Sequence, residues 1–133
     1  MLNLAHILRL GEERATLDAL NHSQAVIEFA LDGTILNANE NFLQLMGYNL
    51  SEIRGQHHRI FVDREEVASP AYREFWNSLR AGQFQQAEYM RFAKGGQEVW
   101  IQATYNPILG RDGKPVRVVK FATDITEQKL RLA

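Results

Sequence analysis

Between Ala25 and Leu31 the chain alternates, with Ala25, Ile27, Phe29 and Leu31 on one side and Val26, Glu28 and Ala30 on the other. A period of two is the pattern of a half-buried strand. Asp32-Gly33 then supplies a hairpin turn, and Thr34, Ile35 and Leu36 return as the partner strand. From Asn37 to Met46 the spacing becomes helical, with Phe42, Leu45 and Met46 on one face and Gly47 as the C-terminal stop. Residues 51–55 and 56–61 predict short helical turns. Ser69-Pro70 joins a capping serine to a proline suited to the first helical position. The helix it opens carries Tyr72, Phe75, Trp76 and Leu79 along one side and stops near Gly82.

The last third reads as strand. Residues 84–93 and 98–107 alternate around the turn Lys94-Gly95-Gly96-Gln97, and residues 116–123 follow the turn Gly110-Arg111-Asp112-Gly113. The tail after Asp124 turns helical and charged. At the other end, residues 1–22 predict an amphipathic helix, with Leu4, Ile7, Leu8, Leu17 and Leu20 forming an apolar stripe that must find a partner. Hairpins at both ends of the chain argue for one antiparallel sheet with the helices on one face, an α+β domain.

At 133 residues the chain holds one such domain, and its formal charge of -1 offers nothing for nucleic acid or an anionic membrane. Its apolar runs fall short of the roughly 20 residues that cross a bilayer. There is no cysteine. Disulfides, thiolate metal sites, a thiol nucleophile and covalent haem attachment are therefore absent from the candidate chemistry. The expected location is cytoplasmic.

The element order, with "FALDGTILNANENFLQLMGY", "GQ" at the start of the middle helices, "AKGGQEVWIQATYNPI" and "VVKFATDIT", resembles the PAS domain family. The resemblance runs from about Gln24 to Thr126. The wording of "GQHHRIF" and "SPAYREFWNSLRAGQF" is most similar to PAS domains of bacterial methyl-accepting chemotaxis and aerotaxis receptors. It implies a PAS fold over residues 23–126: a five-stranded antiparallel sheet, short helices on one face, and a ligand or cofactor held between them. The N-terminal helix, residues 1–22, would dimerise or cap the sheet, and residues 127–133 would begin an outgoing signalling helix. "DIT" matches the family's junction motif, which makes Asp124 and Thr126 candidates for signal relay. As a capping pair they would also fix the aim of that helix.

Cofactor candidates follow from the same resemblance. His57 and His58 are the reasonable haem ligands, since haem needs one axial imidazole in an apolar pocket. Yet the haem histidine of related oxygen sensors falls near Ala71, and that of haem-binding aerotaxis receptors near Val62. Adjacent helical residues point about 100° apart, so the pair cannot readily chelate one metal ion. The alternative is a surface or hydrogen-bonded pair. For flavin, Trp76, Leu79 and Gly82 followed by Trp100 resemble flavin-binding aerotaxis-type domains. Trp76 would stack on the ring and Asn39 or Asn41 would bond its polar edge. The strand before the glycine turn carries Tyr89, Met90, Arg91 and Phe92 where those binders are rich in asparagine. Without cysteine, no photoreactive flavin adduct and no cinnamoyl thioester can form.

A pocket for an organic ligand would be lined by Phe29, Phe42, Tyr72, Phe75, Tyr89 and Tyr105. Arg59, Arg91 and Gln102 are candidates to receive an anion. The expected function is a sensory module that detects a small ligand, gas or redox state, forms a homodimer, and drives a C-terminal effector such as a methyl-accepting signalling domain or a kinase. A ligand-free dimerisation scaffold is the alternative. An enzyme is not expected: His57, His58, Asp63, Glu65 and Glu66 form no known catalytic arrangement.

Overall fold

A computed structural model describes residues 22–131, together with residues 15, 18 and 19. Most of the expected N-terminal helix, and all of its stripe residues Leu4, Ile7, Leu8, Leu17 and Leu20, lie outside the described residues. Five strands form one sheet: β1 Ala25–Phe29, β2 Ile35–Ala38, β3 Gln85–Phe92, β4 Glu98–Leu109 and β5 Pro115–Asp124. Their spatial order is β2-β1-β5-β4-β3 and every pairing is antiparallel. Between β2 and β3 run α1 Glu40–Met46, α2 Leu50–Ile53, a 3-10 turn His58–Phe61, α3 Arg64–Val67 and α4 Pro70–Arg80. Helix α5, Thr126–Arg131, follows β5. No helix among the described residues is long and apolar enough to cross a membrane.

The alternation seen in the sequence sets the inner face of the sheet. Ala25, Ile27 and Phe29 of β1, Val99, Ile101, Ala103 and Tyr105 of β4, and Val118 and Ala122 of β5 are all buried. They pack against Phe42, Met46, Ile53, Phe61, Tyr72, Trp76 and Leu79 from the helical layer. Complete burial of such side chains contributes about 1.5–3 kcal/mol each, which makes this layer the main stabilising element.

Three boundaries depart from the sequence pattern. Asn37 and Ala38 continue β2, and α1 starts only at Glu40 because Asn39 caps it. The Asn39 Oδ1 accepts from Phe42 N at 3.0 Å and from Val26 N at 2.9 Å, so one side chain both opens the helix and ties it to β1. Helix α3, a single turn capped by Asp63, carries too little periodicity to be seen in sequence. The β4–β5 hairpin extends to Leu109 and Pro115, beyond the expected limits.

Candidate functional site

The two adjacent histidines fall on opposite duties, since a β-region residue followed by a 3-10 turn sends successive side chains in different directions. His57 is the cap of that turn. Its Nε2 lies 2.7 Å from the carbonyl of Asp32, which can only accept, so Nε2 carries the proton and donates. Its Nδ1 accepts from Arg59 N at 3.0 Å. His57 thus fastens the turn to the β1–β2 hairpin, where the main chain adds Ile35 N to Gln56 O at 2.8 Å and His58 N to Gly33 O at 2.9 Å. Gly33 is required there: its φ is +92°, and a Cβ would lie 2.4 Å from His57 Nε2.

His58 points the other way, into the core, and is 0% exposed. Its Nδ1 is 2.7 Å from the hydroxyl of Tyr72 on α4, and its Nε2 is 2.9 Å from the hydroxyl of Tyr105 on β4. The rings of Phe29, Phe75 and Trp76 surround it at centroid distances of 5.3, 6.1 and 5.4 Å. Burial, followed by the charges of Lys120, Arg91 and His57, holds its pKa well below the usual histidine value. The ring is therefore neutral, one nitrogen donating to a tyrosine oxygen and the other accepting a tyrosine proton.

Two cations share this inner face. Lys120 of β5 is 1% exposed, with its ammonium 4.9 Å from the centre of the Tyr105 ring and 5.9 Å from that of Phe42. Arg91 of β3 is 2% exposed, its guanidinium lying 4.8 Å over the Tyr89 ring. Arg91 Nη1 reaches Glu66 Oε2 at 3.3 Å and the Met90 carbonyl at 3.0 Å. Burial alone would raise the Tyr105 phenol, but Lys120 and Arg91 outweigh it and the pKa is lowered. At Tyr72 and Tyr89 Arg91 offsets burial only in part, and burial pushes both up to about 12. Burial likewise lowers Lys120. The result is a polar string that runs from Glu66 at the surface inward through Arg91, Tyr105 and His58 to Tyr72.

The structure gathers His58, Tyr72, Trp76, Tyr89 and Arg91 on or beside this string. It separates the other candidates from it. Asn39 and Asn41 spend their amides on backbone at the start of β1: Asn39 Nδ2 donates to Gln24 O at 2.8 Å, and Asn41 Nδ2 to His22 O and Gln24 O, both at 3.1 Å. Gln102 is exposed, on the sheet face opposite Arg91, so the two cannot share an anion. Arg59 is exposed too, and lines a separate cleft of about 270 Å³ with His57, Arg73 and Arg80.

Iron ligation requires a ring nitrogen lone pair facing an open space. Both nitrogens of His57 and both of His58 are engaged, and His58 is enclosed by aromatic rings, so these residues do not fit an axial haem ligand. Among the described residues no group of three or more His, Cys, Asp or Glu side chains could hold a metal ion. The amides of Asn39 and Asn41 are not aimed at a flavin edge. Trp76, 4% exposed and packed edge-on against Phe29 at 5.6 Å, is a core residue, although its indole N–H has no hydrogen-bond partner.

Sequence reasoning missed Lys120. Its signal was parity: Lys120 stands in phase with Val118 and Ala122, both buried, and a lysine at an inward position of a central strand marks a special environment.

The other expected feature, the junction, is a compact clip. Thr126 donates its hydroxyl proton to Asp124 Oδ1 at 2.6 Å, its backbone N–H donates to the same oxygen at 3.0 Å, and its Oγ1 accepts from Trp100 N at 2.9 Å. Ile125 N adds a bond to Trp100 O at 2.8 Å. Helix α5 is then held on the outer face of the sheet, with Lys129 5.1 Å over the Trp100 ring and 2.7 Å from Glu88.

Comparison with known proteins agrees with this architecture. The biofilm dispersion protein BdlA of Pseudomonas aeruginosa is 42% identical over 120 residues, which cover 90% of this chain and 29% of BdlA. The aerotaxis receptor of Escherichia coli is 28% identical over 100 residues, 75% of this chain and 19% of the receptor. The chain thus spans less than a third of either relative. Among solved structures, a PAS domain from Colwellia psychrerythraea superposes with a TM-score of 0.73 at 22% identity, covering 89% of this chain and 98% of that one. A light-oxygen-voltage domain studied with a flavin analogue gives 0.72 at 23% identity, covering 89% and 90%. At these identities the two structures speak for the fold. The family model described as PAS fold matches residues 35–122, well over half of the sequence, and the chain belongs to the PAS domain family.

Proposed function

We propose that this PAS domain is the cytoplasmic sensory module of a bacterial signalling protein of the chemotaxis or aerotaxis receptor type. It binds and relays rather than catalyses. Residues 1–22 would pair two copies, and the chain beyond α5 would lead to an effector such as a methyl-accepting signalling domain or a kinase. Relationship to the aerotaxis receptor supports the class of protein.

The observation that carries the mechanism is the shared use of strands β4 and β5. Tyr105 binds His58 from the inner face of β4, and Trp100, on the outer side of the same strand, is gripped by Thr126. Lys120 packs on Tyr105 from β5, four residues before Asp124, which pairs with Ile101. A ligand or redox event that shifts Tyr105 therefore loads the two strands on which α5 is hung, a local packing change with a remote readout.

A second reading, a ligand-free scaffold, is favoured by the filling of the core: the space between sheet and helices is occupied by Phe29, Phe42, His58, Phe61, Trp76 and Tyr105, each 4% exposed or less. Amide exchange of Ile125 and Lys129, which bond to Trp100 O and Ile125 O, separates the two. Tyr105→Phe should quicken exchange at both amides, and Thr126→Val should abolish that dependence. Exchange at Ile125 and Lys129 that ignores Tyr105→Phe would leave the scaffold.

A further inference from the structure

A cleft of about 370 Å³ opens between α4 and β3, lined by Glu66, Ala71, Tyr72, Phe75, Tyr89 and Arg91. Its walls are aromatic. The Phe75 and Tyr89 rings meet edge-on at 6.2 Å, and Tyr72 lies parallel to Phe75 at 6.3 Å. Such walls suit a flat apolar body, and the volume, at the small end for ligand pockets, suits a compact one.

At the cleft's inner end stands Arg91, a buried cation with an incomplete set of partners. Nη1 is engaged by Glu66 at 3.3 Å and the Met90 carbonyl at 3.0 Å, and Tyr105 adds a side-chain contact, but the buried Nε–H has no hydrogen-bond partner. A buried donor left in that state costs about 1–3 kcal/mol. The guanidinium presents a planar fork that a carboxylate satisfies with two parallel bonds, whereas Glu66 offers a single long one. Glu66 is 46% exposed at the rim, so its own carboxylate stays hydrated when an incoming anion takes its place on Arg91.

We infer that this cleft binds a small aromatic monocarboxylate, of the benzoate or phenylacetate kind, with its ring against the aromatic wall of Tyr72, Phe75 and Tyr89 and its carboxylate on Arg91 in place of Glu66. Both charges lining the cleft are then accounted for: the anion meets Arg91 at its inner end, and Glu66 at the rim is the counter-ion it displaces. The assignment rests on the sensory role and names the class of ligand sensed. Phe75 also packs edge-on against Tyr105 at 4.8 Å, and Tyr72 holds His58, so an occupant of the cleft touches both ends of the polar string.

The test is calorimetric titration of this chain with benzoate, phenylacetate, the neutral isostere benzamide, and acetate. Benzoate or phenylacetate should saturate one site, with benzamide and acetate at least about tenfold weaker, the equivalent of losing one charge-assisted contact. Ala71→Trp fills the cleft from an exposed position and should abolish binding. Glu66→Gln removes the competing carboxylate and should tighten benzoate severalfold, an effect that no loss of fold can mimic. Equal affinity for benzoate and benzamide, or no binding of either aromatic acid by the folded chain and by Glu66→Gln, overturns the inference. Binding without any change in Ile125 and Lys129 exchange would uphold the ligand class and refute the relay. No binding, with exchange still responsive to Tyr105→Phe, would do the reverse.

Discussion

Acid should loosen this domain above the pH at which Asp32 and Glu52 titrate, and His58 is the main reason. The imidazole is wholly enclosed, and the titratable or charged groups facing it come from every packed element: Tyr72 on α4, Tyr105 on β4, Lys120 on β5, Arg91 on β3 and His57 beside it. Burial first, and the neighbouring cations second, oppose a positive ring, so the folded pKa lies well below the ordinary 6.5. The unfolded chain, whose imidazole keeps the ordinary value, takes up the proton first. The stability contributed by a neutral His58 is thus complete above that value. It is lost as pH falls below it, until the folded value is reached.

Integrating a single site with an unfolded pKa near 6.5 gives a loss of at most about 1.4 kcal/mol between pH 7.5 and 5.5, and at most about 1.4 kcal/mol for each further unit above the folded value. With a urea slope of about 1–3 kcal/mol/M, the unfolding midpoint should drop by up to roughly 0.5–1.4 M over those two units. His57, whose pKa burial also lowers, contributes in the same window to the wild type and to His58→Gln alike, so the difference between the two reports His58. Asp32 and Glu52 do not intrude. Backbone N–H groups of Thr34 and Asn49 hold them below their ordinary 3.8 and 4.5, so what they contribute is lost only at more acid pH. Urea titrations of the wild type and His58→Gln, whose amide can still meet both tyrosine hydroxyls but cannot titrate in this range, isolate the effect. Midpoints that fall in parallel for the two proteins between pH 7.5 and 5.5 would refute the argument.

Gly33→Ala should destabilise by about 2–4 kcal/mol, since it adds a side chain at φ +92° to a clash with His57. Gly113→Ala, at φ +79° with nothing within 4 Å, is the control and should cost only the conformational part, about 1–2 kcal/mol; equal losses in chemical denaturation would remove His57 from the account. Lys120→Met should be neutral or should stabilise by about 1 kcal/mol or more, because among the described residues no carboxylate pairs with this buried ammonium. It should also confine the acid-sensitive window, since a cation facing His58 is gone. A loss above about 2 kcal/mol, as for an ordinary core truncation, would contradict that view.

What the sequence showed and what it hid divide along a physical line. Strand positions were legible because alternation is a local property: Ala25, Ile27 and Phe29 are buried where their parity puts them. The α4 face was equally plain, with Tyr72, Trp76 and Leu79 buried at helical spacing behind a Ser69 cap. His57 and His58 were ambiguous because a 3-10 turn of four residues has no repeat to establish which ring faces inward. Their roles depend on Asp32, Tyr72 and Tyr105, which lie 25, 14 and 47 residues away. Grouping Gln102 with Arg91 failed for want of register: once Arg91 is known to face Val99, alternation along β4 puts Gln102 on the outer face with Trp100. Asn39 was misleading for another reason. An asparagine beside a helix start serves as a cap or a ligand donor with equal ease, and only the bonds to Val26, Phe42 and Gln24 tell them apart.

The placement of polarity argues for a switch more strongly than any one contact does. Stability alone would favour aliphatic side chains at positions 58, 91 and 120, all inside a layer already closed by Phe29, Phe42, Phe61 and Tyr105. Replacing buried charges by apolar groups of similar size is commonly neutral or stabilising. This chain instead keeps two cations, a neutral imidazole and two tyrosine hydroxyls in mutual reach, with one guanidinium donor left unpaired. Such an arrangement has few ways to be fully satisfied at once, so a proton or a carboxylate arriving at one end changes which bonds the rest can make. The surrounding aromatic layer supplies the rigidity that a loosely packed core would lack. On the proposed relay, the rearrangement would thereby be confined to Tyr105 and the two strands, β4 and β5, that carry α5.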